Sequence, residues 1–215
     1  MKSHKKIEIL NFFSNLNNSG INYLLLRNTA NEMPSKLKKN KDIDLWISYD
    51  HRPLLINFFK KYNFIKIRHP LRKLDRLYGI NEFEMYKNSA ELLIDINYQI
   101  CVKSLSKIHL VPLDDFIQKN IFKNKKKIYF DQIPINHMGD NEYLVSIIAR
   151  QIYDKENFDD WAMNEINRLM PVCNVNIVYK YLKLIFFKFT DDLIKMINKK
   201  QFKLIKTNYI RFQKY

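Results

Sequence analysis

The chain is 215 residues long and 47% hydrophobic, with 15 Phe and 13 Tyr, ample apolar material for a packed core, which excludes global disorder. A net charge of +15 supplies a positive field for a polynucleotide or a smaller polyphosphate, although Lys, Asn and Ile are abundant throughout and the basic runs at 36–41 and 123–127 have the make-up of solvated loops. Three glycines, Gly20, Gly79 and Gly139, are too scattered to cradle phosphates, which excludes P-loop kinases and Rossmann dehydrogenases.

In chain order, Ile7, Leu10, Phe13 and Leu16 recur at helical spacing over 5–17, with Gly20 placed to cap the end. The apolar run 21–26 is too short for a helix and predicts a buried strand; 27–41 is polar, contains Pro34 and predicts a loop. Residues 42–48 alternate, with Ile43, Leu45 and Ile47 on one face and Asp42, Asp44 and Trp46 on the other. A helix is predicted over 52–62 with Pro53 in its first turn, then a strand over 64–68 and an exposed hairpin over 76–86 broken at Gly79. In the strand at 91–100, Leu92, Ile94, Ile96 and Tyr98 share one face; Glu91, Leu93, Asp95, Asn97 and Gln99 share the other. A short helix after Pro112 and a strand pair over 128–136 follow. Helices then cover the rest, one capped by Asp140 and one by Thr190.

No apolar run approaches the ~20 residues that span a bilayer, and the basic N-terminus leads into a mixed polar segment rather than an apolar signal core. The expectation is a cytoplasmic protein without a membrane span. Cys101 and Cys173 lie in apolar segments and are expected to be buried thiols, and the five histidines lack zinc-ligand spacing.

Asp42 and Asp44, two apart on a strand, leave the same face with Cα atoms ~6.5 Å apart. Burying two such carboxylates is unfavourable without a cation. Mg2+ or Mn2+ relieves that cost, since it prefers hard oxygen ligands and keeps waters that phosphates can replace. Asp95, flanked tightly by apolar residues on the second strong strand, is the candidate third acid. Such a triad suits nucleotidyl or phosphoryl transfer, with Asp95 acting on an acceptor hydroxyl. Glu82 and Glu84 show the same spacing but follow Gly79, so the hairpin reading leaves them exposed. Trp46, on the acid face, suits either base stacking or core packing.

A strand, a loop, Lys41-Asp-Ile-Asp-Leu-Trp46 and a later Ile94-Asp-Ile96 together resemble the DNA polymerase β-like nucleotidyltransferase superfamily over about residues 7–99. The likeness is to a bacterial branch linked with surface polysaccharide or small-molecule modification. That resemblance implies an α/β (α+β) fold with a small mixed sheet, flanking helices and a C-terminal helical domain, divided here as 1–137 and 138–215. It implies Asp42, Asp44 and Asp95 as metal-binding, catalytic carboxylates, and Mg2+ or Mn2+ as cofactor. The activity implied is transfer of a nucleotidyl group from an NTP, ATP among them, to a hydroxyl or phosphate of a small molecule or glycan precursor. The first strand departs from the superfamily by ending in Arg27-Asn28 where Gly-Ser is usual, with thirteen residues between Asn28 and Asp42. Arg27, Asn28, Thr29 and Lys41 are the candidates for nucleotide contact, Arg27 alternatively pairing with the acids. Two other readings stay open: a toxin-like transferase acting on RNA or protein, and an inactive fold kept as a nucleotide-, RNA- or partner-binding module.

Overall fold

A computed structural model describes residues 2–27, 33–38, 41–70, 75–76 and 80–212. The backbone groups into two compact units, one of 1–100 with 124–138, the other of 101–123 with 139–215.

The first unit opens with α1 (Lys2–Asn17) and β1 (Tyr23–Leu25). Gly20, at φ +73°, makes the left-handed turn between them, a conformation in which a Cβ would be strained. There follow β2 (Asp42–Ile47), α2 (Arg52–Lys61), β3 (Ile65–Ile67), the two-residue β4 (Asp75–Arg76), β5 (Glu84–Lys87) and β6 (Leu93–Asn97). The second unit contributes β7 (Cys101–Lys103), β8 (His109–Pro112) and α3 (Asp115–Lys123) before β9 (Lys126–Phe130) and β10 (Ile133–His137) return to the first. Seven strands form a mixed sheet in the order β3-β5-β6-β2-β1-β10-β9. The β2–β6 and β1–β10 pairs are parallel and the remaining pairs antiparallel.

The alternation of β2 and β6 sets the two faces of this sheet. Ile43, Leu45, Ile47, Ile94 and Ile96 are fully buried in one core with Phe12 and Phe13 of α1 and Leu55, Phe58 and Phe59 of α2. Rings lock the contact: Phe59 stacks on Tyr86 at 3.9 Å, and Phe12 meets Phe13 and Phe58 edge-on. The opposite face carries Asp42, Asp44 and Asp95, with Leu24 and Trp46 buried beside them.

The second unit is the β7–β8 hairpin, α3 and a run of helices: α4 (Asp140–Arg150), α5 (Asp160–Leu169), α6 (Val175–Phe186), α7 (Thr190–Asn198) and α8 (Phe202–Arg211). A single π turn, Gln151–Lys155, extends α4. It places Asp154 to accept from the Lys103 amide at 2.7 Å and Tyr153 to stack on Phe186. Two expected caps differ. Gly139, not Asp140, precedes α4, and Thr190 lies inside α7 after Phe189; Asp140 instead places its charge in the positive first turn. Both cysteines are half-buried, and burial pushes the Cys101 thiol up to about 12. Among the described residues no helix is long and apolar enough to cross a membrane.

Glu84 corrects the sequence expectation. The segment is a sheet-interior strand between β3 and β6, so Glu84 is buried on the core face while Glu82 is exposed; the break expected at Gly79 lies outside the described residues. Glu84 Oε1 accepts from Arg52 (Nε 3.2 Å, Nη2 2.6 Å) and Lys66 (2.7 Å), and Oε2 from the hydroxyls of Tyr98 (2.6 Å) and Tyr86 (3.1 Å). Burial works to raise its carboxyl, but hydrogen bonds from Lys66, Tyr98 and Arg52 overcome that and hold it at about 2. Burial, reinforced by Glu84, drives the Tyr98 and Tyr86 hydroxyls well above 10. A depressed carboxyl stabilises the fold above its unfolded value of 4.5 and loses that contribution as pH falls towards 2; raised tyrosines stabilise below 10 and lose theirs above it. Glu84→Gln is therefore expected to cost about 2–3 kcal/mol at pH 7. In denaturant titrations its deficit against wild type should shrink between pH 4.5 and 2.

Candidate active site

Parallel pairing of β2 with β6 aligns Asp42 with Leu93, Asp44 with Asp95 and Trp46 with Asn97. Side chains of paired residues emerge on the same face, so this register puts Asp44 and Asp95 side by side, with Asp42 one pleat away. One carboxylate oxygen from each of the three acids lies within 4.8 Å of the others. Asp44 is 5% and Asp95 9% exposed, while Asp42 is half-buried at the mouth.

Arg27, His69 and Asn97 reach the cluster. Arg27, just past β1, reaches back so that its Nη1 lies 3.1 Å from Asp44 Oδ1; the Leu26 amide donating to the Asp44 carbonyl at 3.0 Å holds the backbone there. His69 Nε2 is 3.1 Å from Asp95 Oδ1, and Asn97 Nδ2 donates to that same oxygen at 3.3 Å. The His69 ring lies nearly parallel to Phe83, with centroids 5.5 Å apart. Trp46 is buried and its indole N–H donates to the Tyr98 carbonyl at 3.0 Å, which settles its role as packing rather than base stacking. Lys41 directly precedes β2 and is half-buried; Asn28 and Thr29 lie outside the described residues.

The three acids singled out along the sequence come together in space, and of the two alternatives for Arg27 the ion pair is formed. His69 and the role of Asn97 were not among the sequence expectations. The shared face of Asn97 and Asp95 was visible from their spacing, but nothing in the sequence connects residue 69 with residue 95. The donor set is entirely carboxylate oxygen and mostly screened from water, which fits a hard divalent cation and not a soft one. Arg27 pairs with one of the three acids.

The sequence matches no protein-family model and no curated protein. Among solved structures, the fold is similar to the antibiotic-resistance factor ANT(2'')-Ia in solution, with a TM-score of 0.50 at 9% identity, covering 99% of this chain and 100% of that one. An antigenic nucleotidyltransferase-like protein from Paracoccidioides brasiliensis gives 0.47 at 14% identity, covering 92% and 94%. Lincomycin-bound lincosamide antibiotic adenylyltransferase LnuA gives 0.42 at 11%, covering 79% and 97%. Identities this low speak to fold alone. The chain is similar in fold to the first of these over essentially the whole length of both chains.

A triad that takes up a cation predicts that millimolar Mg2+ or Mn2+ raises the melting temperature of the wild type. Asp44→Asn is expected to abolish that rise while melting close to wild type in chelator, because the substitution also relieves carboxylate repulsion. Differential scanning fluorimetry with and without metal checks both.

Proposed function

We propose that the protein is a metal-dependent nucleotidyltransferase that moves a nucleotidyl group from an NTP to a hydroxyl or phosphate of a small molecule or glycan precursor. The observation that carries this reading is the meeting of Asp42, Asp44 and Asp95 on one sheet face, with ligand oxygens within 4.8 Å of one another. The first unit is the catalytic one in this reading, and Mg2+ or Mn2+ is held by the three acids. Bound there, the ion supplies neutralisation of triphosphate charge.

The chain's own residues do the rest. Asp95, largely screened from water, takes the proton of the acceptor hydroxyl. The freed oxygen attacks the α-phosphorus as the bond to the β-phosphate oxygen breaks and pyrophosphate leaves. Arg27, 40% exposed and at the mouth of the site, exchanges Asp44 for phosphate oxygens when the nucleotide arrives; Lys41, Asn28 and Thr29 are further candidates for that contact. Arg27 stands where the superfamily places Gly-Ser, so a charged fork replaces backbone and hydroxyl contacts.

One observation favours the non-catalytic reading: Arg27 already engages Asp44, as it would in a fold kept only for binding. Turnover separates the two. Labelled NTPs incubated with the protein and a metabolite extract are expected to yield a labelled product and pyrophosphate, and Asp95→Ala to lower the rate at least about 100-fold. Nucleotide bound but never consumed by the wild type would overturn the enzyme reading. Arg27→Ala is expected to raise the KM for NTP about tenfold while leaving Mn2+ affinity equal to or tighter than wild type, since a competing cation is removed. Steady-state kinetics and calorimetry measure the two effects separately.

A further inference from the structure

Among the described residues Asp95 receives two donors, and both fall on Oδ1: His69 Nε2 at 3.1 Å and Asn97 Nδ2 at 3.3 Å. A carboxylate only accepts, so the His69 Nε2 carries the hydrogen. His69 follows β3, the outer strand of the sheet, and is separated from β6 by β5, yet its ring turns inward and is 6% exposed. Phe83, directly before β5, lies face to face with the imidazole at an interplanar angle of 27° and sets the plane in which Nε2 points. A buried imidazole that served packing alone would have no need to aim a ring nitrogen at a catalytic carboxylate. One that served only to satisfy Asp95 would duplicate Asn97, which reaches the same oxygen from two residues along the strand.

We propose that His69 is the positioning residue for Asp95, an inference that rests on the nucleotidyl-transfer reading of this site. Together His69 and Asn97 pin Oδ1 from two directions and fix the rotation of the carboxylate about its Cβ–Cγ bond. The second oxygen would then be the one available to a divalent cation and to the acceptor hydroxyl. Asp44 has a counterpart in Arg27, whose side chain is 40% exposed, whereas that of His69 is enclosed at 5%. Hydrogen-bond partners of this kind, one shell out from a metal, orient the ligand and tune its affinity.

The test compares full-length wild type, His69→Leu, His69→Gln and Asn97→Ala. Melting temperature in chelator serves as the folding control, and Mn2+ affinity is measured by calorimetry without nucleotide. His69→Leu keeps the buried volume and removes the donor; it is expected to weaken Mn2+ binding about 10–100-fold. In kinetics it should lower kcat more than it raises the KM for NTP. His69→Gln, whose amide can donate to the same oxygen, is expected to recover most of the Mn2+ affinity. Wild-type affinity in His69→Leu, or a Gln variant as weak as the Leu variant, would assign His69 to packing and overturn the proposal. Should His69→Leu fail to fold, the half-buried Asn97→Ala carries the test through the other donor, and unchanged Mn2+ affinity there is the overturning result. Mn2+ binding absent from the wild type sinks this inference and the proposed function together. Mn2+ binding with no turnover of any NTP sinks only the proposed function, leaving the Leu and Gln comparison to decide the role of His69.

Discussion

The structure turns on the parallel pairing of β2 with β6 and its register, Asp44 opposite Asp95. Two unit charges 4.8 Å apart repel by roughly 3 kcal/mol at an effective dielectric of about 20, and three acids gather here within that distance. A sheet adopts such a register only when something else holds it. That something is the opposite face, where Ile43, Leu45, Ile94 and Ile96 lie fully buried under α1 and α2. Because side chains alternate with a period of two, the register that seals the apolar face also drives the acids together on the other. A slip of one residue would expose the isoleucines and bury the aspartates, so the hydrophobic core enforces the charge cluster.

The same sheet treats acid in two ways. Glu84, on the core face, receives five hydrogen bonds from Arg52, Lys66, Tyr86 and Tyr98, and both of its oxygens are engaged. Its charge is spent on the fold, tying α2, β3, β5 and the end of β6 together. On the face across the sheet, Arg27 reaches one oxygen of Asp44, and His69 and Asn97 reach one oxygen of Asp95. Saturated carboxylates stabilise, whereas clustered ones attract a cation. The contrast between the two faces is a stronger sign of function than either site taken singly.

Much of this was legible along the chain. The alternation at 42–48 and 91–100 assigned every residue of β2 and β6 to its correct face, since strand periodicity is local and needs no knowledge of neighbours. Glu84 was misplaced because the glycine before it suggested a turn, and its burial depends on Arg52 and Lys66 arriving from other elements. His69 was invisible for a related reason. A histidine between a short strand and Pro70 carries no pattern, and its link to Asp95 spans 26 residues. The fate of Trp46, packing rather than stacking, likewise depended on the Tyr98 carbonyl, 52 residues away.

The sequence by itself determined the mixed sheet with its helices, the identity of the three acids and the fact that Asp42 and Asp44 share a face. These follow from side-chain periodicity and from the cost of placing charge in an apolar strand, both of which act over a few residues. Only the tertiary structure decided that β2 and β6 are neighbours and parallel, that Arg27 turns onto Asp44, and that His69 closes on Asp95 while Glu84 is sealed on the far side. Those outcomes depend on strand order and on burial shared between distant segments, and residues brought together that way leave no spacing along the chain to read.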